Sequence, residues 1–458
     1  MTDGDLSCHT GKGIPKMSLY TYLRERVSEH PDRTVRDKAR ILTFGELFQQ
    51  AEEIGRTLTG RLYGILCRSD LDTARLLLAC MATGKTAVPL STRYGEAHVK
   101  RIQQAAGLSC ILTEKGALTV GKPMTDEETL EGIRLILYTS GTTGIPKGAM
   151  LTDAGLLVNL LAVEGYFHIP GPIRIVRPLY HCAVLMGEFF LSLAKGVDIV
   201  FDGGEFHPVR LLDAIQTEKT AVLCATPTLF YQLCGAAIRR GRVLPLKSAA
   251  VSGECLTPGI AARMRQAMPE TAIYHVYGLT EAGPRVSYLP PSLFDQIPDS
   301  VGVPLPCWEY TVVEGELLLR GESQMKGYYR SPEETERVLK NGWLHTGDVA
   351  EIDADGRLYI RSRRDDLIIR AGINIYPQEI ENALRMESGI VDVMAFGKPD
   401  KTAGQRIYLK AVAPGLTKKD LWEICRKRLS PYQYPDDFEL VETLPRNASG
   451  KLLRERSR

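Results

Sequence analysis

From residue 133 onward, short apolar runs alternate with segments of helical period. The runs at 133–138, 198–201, 221–224, 249–251 and 273–276 have the length and continuity of strands buried on both faces. Between them, 154–164, 208–217, 227–238 and 257–268 space their apolar residues as helices do. That alternation predicts an α/β fold with a largely parallel sheet. Nearer the N-terminus, 43–58 opens with Thr43-Phe-Gly-Glu46, a capping box, and Leu47, Ala51, Ile54 and Leu58 follow on one face. Further helices are expected at 72–83 and 95–106, and strands at 315–320 and 349–360, the latter turning at Asp353-Ala-Asp-Gly356.

After Arg363-Arg364-Asp365 the texture changes. A helix near 377–387, strands near 391–396 and 406–413, a helix near 418–429 and a strand near 437–441 make a small α+β unit. The chain is therefore expected to divide into a large, multi-subdomain α/β domain, 1–364, and a small C-terminal α+β domain, 365–458.

Composition narrows the class. With 44% hydrophobic and 24% charged residues, the 458-residue chain has the balance of a globular protein, which excludes disorder and fibre. A formal net charge of +2 offers no field to recruit nucleic acid or an anionic membrane. The ten cysteines include no C-x-x-C pair and the eight histidines are dispersed. Reduced thiols in a cytoplasmic protein are expected, rather than a zinc site or disulfide framework. Met1-Thr-Asp-Gly-Asp5 carries acid where a secretory signal needs base, and the greasiest stretch, 182–201, is interrupted by Glu188, Lys195 and Asp198. No membrane span is expected.

The most informative segment is Leu137-Tyr-Thr-Ser-Gly-Thr-Thr-Gly-Ile-Pro-Lys147-Gly, directly after a predicted strand. Gly141 and Gly144 let backbone approach a polyphosphate, Thr139, Ser140, Thr142 and Thr143 supply hydroxyls, and Lys147 supplies a cation. It is not a Walker A loop, because the lysine follows Pro146 and the glycines fall elsewhere.

This loop resembles the signature of the adenylate-forming superfamily, which comprises acyl-CoA synthetases, peptide-synthetase adenylation domains and luciferases. Further segments resemble that family's motifs in its order: Tyr274-His-Val-Tyr277-Gly-Leu-Thr-Glu281, Trp343-Leu-His-Thr-Gly-Asp348, Ser362-Arg363-Arg-Asp365 and Leu444-Pro-Arg-Asn-Ala-Ser-Gly-Lys451. The resemblance implies that Tyr277 stacks on adenine, Thr280 contacts the α-phosphate and Glu281 holds Mg²⁺. It also implies that Asp348 and Arg363 bind the ribose, Asp365 is a hinge for a mobile C-terminal domain, and Lys451 bridges carboxylate and phosphate. Ser362 departs from the family's usual glycine.

Pro178-Leu-Tyr-His181 resembles the segment beside the acyl pocket, with His181 as its gate, while Gly253 and Gly278 would line that pocket. Gly372 would leave space for a pantetheine arm in the thiol tunnel. Amino-acid-activating relatives place an aspartate where this chain has Tyr180-His-Cys-Ala-Val184, which speaks against an α-amino acid. The activity so implied is ATP- and Mg²⁺-dependent activation of an aromatic or medium-chain aliphatic acid, then transfer to coenzyme A. The phosphopantetheine of a carrier protein is the alternative acceptor, and a non-catalytic nucleotide-binding protein the alternative class. Met186, Phe189 and Phe190 could line the pocket or fill the core, and core is the expectation.

Overall fold

The computed structural model describes residues 17–92, 95–121, 128–139, 146–203, 206–371, 373–387, 389–400, 402–446, 452 and 454. Among these the strands form four sheets. A nine-stranded sheet runs, from one edge, through Val303–Pro304, Arg285–Leu289, Ala272–Gly278, Ser248–Ser252, Val222–Ala225, Ile173–Ile175, Ile199–Phe201, Thr34–Arg36 and Ile41–Thr43. Its centre is parallel and its two edges are antiparallel. A six-stranded sheet has the same design: Leu62–Ile65, Thr86–Pro89 and Ile133–Thr139 are parallel to their neighbours, and Lys147–Thr152 returns antiparallel. The other two sheets, each five-stranded, are mainly antiparallel, so the expected parallel architecture holds for the two large sheets only.

The helices show why the local patterns were informative. Thr43 Oγ1 accepts from the Glu46 N–H at 3.1 Å, and the Glu46 carboxylate accepts from the Thr43 N–H at 2.7 Å. That reciprocal cap starts Phe44–Gly55, which buries Phe44, Leu47, Phe48 and Ala51. Leu58 packs on the same core from just beyond the helix, which ends at Gly55 rather than reaching 58. The helix Leu19–Ser28, capped by Ser18, had no counterpart in the sequence pattern reading. The stretch 182–201 splits into Cys182–Val184, a wide π-helical turn Leu185–Phe190, the helix Leu191–Lys195 and the strand Ile199–Phe201. Met186, Phe189 and Phe190 are fully buried in the core. Among the described residues no helix is long and apolar enough to cross a membrane, the nine described cysteines are free, and no three metal-ligating side chains cluster.

The C-terminal sheet draws on Ile368–Arg370, Ile373–Ile375, Asp392–Asp400, Gly404–Val412 and Asp437–Leu440, and its core begins at Ile368. The main core ends at Leu358, with Ile360 packed against it. Between the two lies a single 3₁₀ turn, Arg364–Asp366.

His275, in the strand Ala272–Gly278, is buried and its Nδ1 bonds the carbonyls of Ser300 and Pro298 at 2.8 and 3.0 Å. Burial pushes its pKa down from 6.5 to about 4, against the pull of those carbonyls. The unfolded imidazole binds a proton at higher pH than the folded one. Stability is therefore intact above pH 6.5 and is lost as pH falls toward about 4. Between pH 7 and 5 this histidine should withdraw roughly 1–2 kcal/mol. Urea unfolding of wild type and His275→Gln at both pH values checks it. A smaller pH dependence in the variant is expected, and equal dependence would remove the assignment.

Candidate active site

The nine-stranded sheet, Thr139 of the six-stranded sheet, the antiparallel sheet that carries Asp348 and Arg363, and the C-terminal unit border a cleft of about 1260 Å³. Thr139, Tyr277, Thr280, Glu281, Asp348 and Arg363 all border it. They come from separate stretches of chain, and the sheets bring them together. Tyr277 sits at the carboxyl end of a parallel strand, where open α/β sheets place their ligands. The strand stops at Gly278, where a Cβ would stand 2.0 Å from the Pro284 carbonyl oxygen, so only glycine fits that crossing. The 3₁₀ turn Thr280–Ala282 follows and delivers Thr280 and Glu281 to the cleft.

Asp348 and Arg363 are cross-strand partners on Trp343–Ile352 and Leu358–Arg363. Arg363 Nη1 donates to Asp348 Oδ1 and to the Thr346 carbonyl, both at 2.9 Å. The Tyr277 hydroxyl donates to Asp348 Oδ2 at 2.5 Å. Burial, and then the Asp348 charge, hold the Tyr277 phenol well above its ordinary range. The same carboxylate raises the Arg363 guanidinium. Each oxygen of the Asp348 carboxylate is thus braced by its own donor. Nearby, Glu316 accepts from the Gly347 N–H at 2.9 Å and from Arg364 at 3.0 Å, which steadies the turn before Asp348. Ser362 is buried and its hydroxyl finds no partner among the described residues.

Glu281 is braced by Tyr328, whose hydroxyl donates to Oε1 at 2.8 Å, while Met325 N–H donates to the Glu281 carbonyl at 2.9 Å. Burial and the Glu281 charge drive the Tyr328 phenol upward, so it stays a donor. Lys147 does not border the cleft. It pairs with Glu334 and lies 5.6 Å from the centre of the Tyr328 ring. Tyr328, Glu334 and Glu316 were invisible in the sequence, because each meets its partner far along the chain with no local spacing to announce it. Ser140, Gly141, Thr142, Thr143 and Gly144 lie outside the described residues, but Thr139 and Lys147 are in register on the two strands that flank them.

Arg446, Leu452 and Arg454 also border the cleft, while Lys451 lies outside the described residues. Arg446 and Leu452 pair as an antiparallel bridge. Arg454 forks onto Glu381 at 2.7 and 2.8 Å and reaches Asp366 at 3.4 Å, which ties the end of this segment to the helix Pro377–Arg385. Gly253, with φ +96°, lines the cleft as Gly278 does. Glu254 accepts from the Thr228 hydroxyl at 2.6 Å. His181 stands away from this lining, at the start of the helix Cys182–Val184, its ring 4.2 Å from that of Tyr180. Asp365 is exposed in the 3₁₀ turn, and Gly372 lies outside the described residues.

Residues 121–329 match the family described as AMP-binding enzyme, and 379–451 match the AMP-binding enzyme C-terminal domain. A long-chain-fatty-acid–CoA ligase from Salmonella typhimurium is 32% identical over 384 residues, covering 79% of this chain and 68% of the relative. A feruloyl-CoA synthase from Amycolatopsis is 29% identical over 94% of this chain and 96% of the relative. Among solved structures, an O-succinylbenzoate coenzyme A synthetase from Bacillus subtilis in complex with ATP and magnesium ion superposes with a TM-score of 0.82. It is 25% identical, covering 94% of this chain and 98% of the other.

Proposed function

Because the chain belongs to the AMP-binding enzyme family, we propose that its cleft activates a carboxylic acid with ATP and passes the acyl group to coenzyme A. The observation that carries this reading is the convergence of Tyr277, Asp348, Arg363, Thr280 and Glu281 on one cleft. Tyr277 offers an aromatic edge and face to adenine. The braced Asp348 carboxylate and the Arg363 fork are matched to ribose hydroxyls. Thr280 offers its hydroxyl to the α-phosphate. The 139–147 segment, with Lys147 at its end, takes the departing pyrophosphate.

Magnesium fits the donor set. It is usually held by one or two carboxylates plus substrate phosphates, and Glu281 presents one hard carboxylate braced by Tyr328. Bound there, the ion would neutralise phosphate charge. An acid oxygen bonds to the α-phosphorus, the bond from that phosphorus to the bridging oxygen breaks, and pyrophosphate leaves. Lys451 steadies the charge that builds on the phosphoryl oxygens. In the second step a thiolate attacks the acyl carbonyl, the C–S bond forms, and AMP leaves with the former acid oxygen. Asp365 is the hinge on which the C-terminal domain, 365–458, turns between steps, and Gly372 opens the way for the thiol arm.

Acid-dependent exchange of pyrophosphate into ATP across an acid panel tests the first step. Mass detection of the thioester, with coenzyme A and a carrier phosphopantetheine offered separately, tests the second. Exchange followed by an acyl-CoA product is expected. ATP binding with no exchange for any acid would favour a non-catalytic nucleotide-binding protein, and transfer to the carrier alone would replace coenzyme A as acceptor.

A further inference from the structure

Lys147 stands next to the cleft without lining it. Directly opposed residues on paired strands carry their side chains on one face, and the residue opposite Lys147 is Thr139, which borders the cleft. Lys147 Nζ lies 5.6 Å from the centre of the Tyr328 ring. The hydroxyl of that ring donates to Glu281, a second residue of the cleft wall, at 2.8 Å. An ammonium flanked in this way is placed to reach phosphate oxygens, yet its charge is already taken. Nζ donates to Glu334 Oε2, and among the described residues no other carboxylate pairs with it. The Lys147 side chain is only 15% exposed, so without a phosphate it needs such a counter-charge.

Glu334 is placed to give the lysine up. It belongs to the helix Pro332–Val338, which buries none of its residues. Its two oxygens serve two cations: Oε2 takes Lys147, and Oε1 accepts from Arg337 Nη1 at 2.9 Å. Arg337 is 70% exposed, and its bond to Glu334 does not depend on the lysine. A departing Lys147 therefore leaves Glu334 paired and in contact with water, not stranded as a lone buried carboxylate. The helix is also tied to the metal-side brace, because the Tyr328 N–H donates to Thr335 Oγ1 at 2.8 Å. Glu334, Tyr328 and Glu281 thus form one connected set around the lysine.

We propose that Glu334 is a positioning residue that holds Lys147 in reserve and competes with phosphate oxygens for it. Binding of the triphosphate exchanges the carboxylate for the β- and γ-phosphates, and departure of pyrophosphate restores the pair. Glu334 thereby weakens the hold on pyrophosphate and speeds its release. This inference rests on the reading of 139–147 as the pyrophosphate segment and adds the group that competes for its lysine.

The test is calorimetric titration of the full chain, with magnesium present, by ATP, inorganic pyrophosphate and AMP. AMP lacks the two outer phosphates and serves as the internal control. Glu334→Gln should bind ATP and pyrophosphate about 3–10-fold more tightly, the range for a partly exposed ion pair, and AMP as wild type does. Arg337→Ala should act in the opposite direction, because Glu334 then has only the lysine to hold. It weakens both phosphate ligands and decides the matter if the glutamine variant fails to fold. Lys147→Met should weaken ATP and pyrophosphate by about 10–100-fold, and adding Glu334→Gln to it should change nothing further. Looser binding of ATP and pyrophosphate by Glu334→Gln, or an equal change for all three ligands, overturns the inference. Unchanged pyrophosphate binding by Lys147→Met, with AMP still bound, overturns it too while leaving the nucleotide site intact. No binding of ATP or AMP by wild type overturns the acid-activating reading itself.

Discussion

Lys451→Ala is expected to slow acyl-adenylate formation by about 10²–10³-fold, the cost of removing one preorganised charge donor from a developing oxyanion. Two anions, the acid and the α-phosphate, must meet, and the pentavalent phosphorus gathers further charge on its oxygens. A mobile ammonium placed between them stabilises that arrangement more than the separated ground state. The described residues on either side of it in sequence are held at the cleft. Arg446 and Leu452 border the cleft as a bridged pair, and Arg454 anchors the segment through Glu381 and Asp366. The same variant supplied with preformed acyl-adenylate should make thioester within a few-fold of wild type if, as proposed, the C-terminal domain withdraws the lysine in that step. Exchange at near wild-type rate would remove Lys451 from the chemistry.

Asp365→Pro should do the reverse. Proline fixes φ near −65°, which suits the 3₁₀ turn that Arg364–Asp366 forms here but denies the backbone a second setting. Adenylate formation should stay within about threefold, whereas transfer to coenzyme A should fall by about 10²-fold or more, as when a catalytic constellation can no longer be assembled. Single-turnover measurement of each half-reaction separates the two. Equal loss in both would reject the hinge, and the division of the chain at 364/365 with it.

Much of the fold could be read from local pattern. The capping box at Thr43 and Glu46 and the helices Pro208–Thr217 and Pro227–Arg239 all sit within a residue or so of their expected starts. Each is set by residues adjacent in sequence. Edge strands were less legible: Lys147–Thr152 turns back antiparallel because of its partner at Ile133–Thr139, not because of its own composition. The same division runs through the site. Tyr277, Thr280, Glu281, Asp348 and Arg363 stood out through motif resemblance, and all five border the cleft. Tyr328 and Glu334, which brace Glu281 and Lys147, lie in unremarkable stretches and acquire their partners only through tertiary packing. Glu188 looked like an interruption in a greasy segment; it is a buried charge paired with Arg177.

The most direct measurement is a crystal structure of the protein soaked with ATP and magnesium. Adenine should rest against Tyr277, the ribose hydroxyls on Asp348 and Arg363, and the α-phosphate beside Thr280 and Glu281. A nucleotide bound anywhere else, with this cleft left to solvent, would contradict the proposed function at its root.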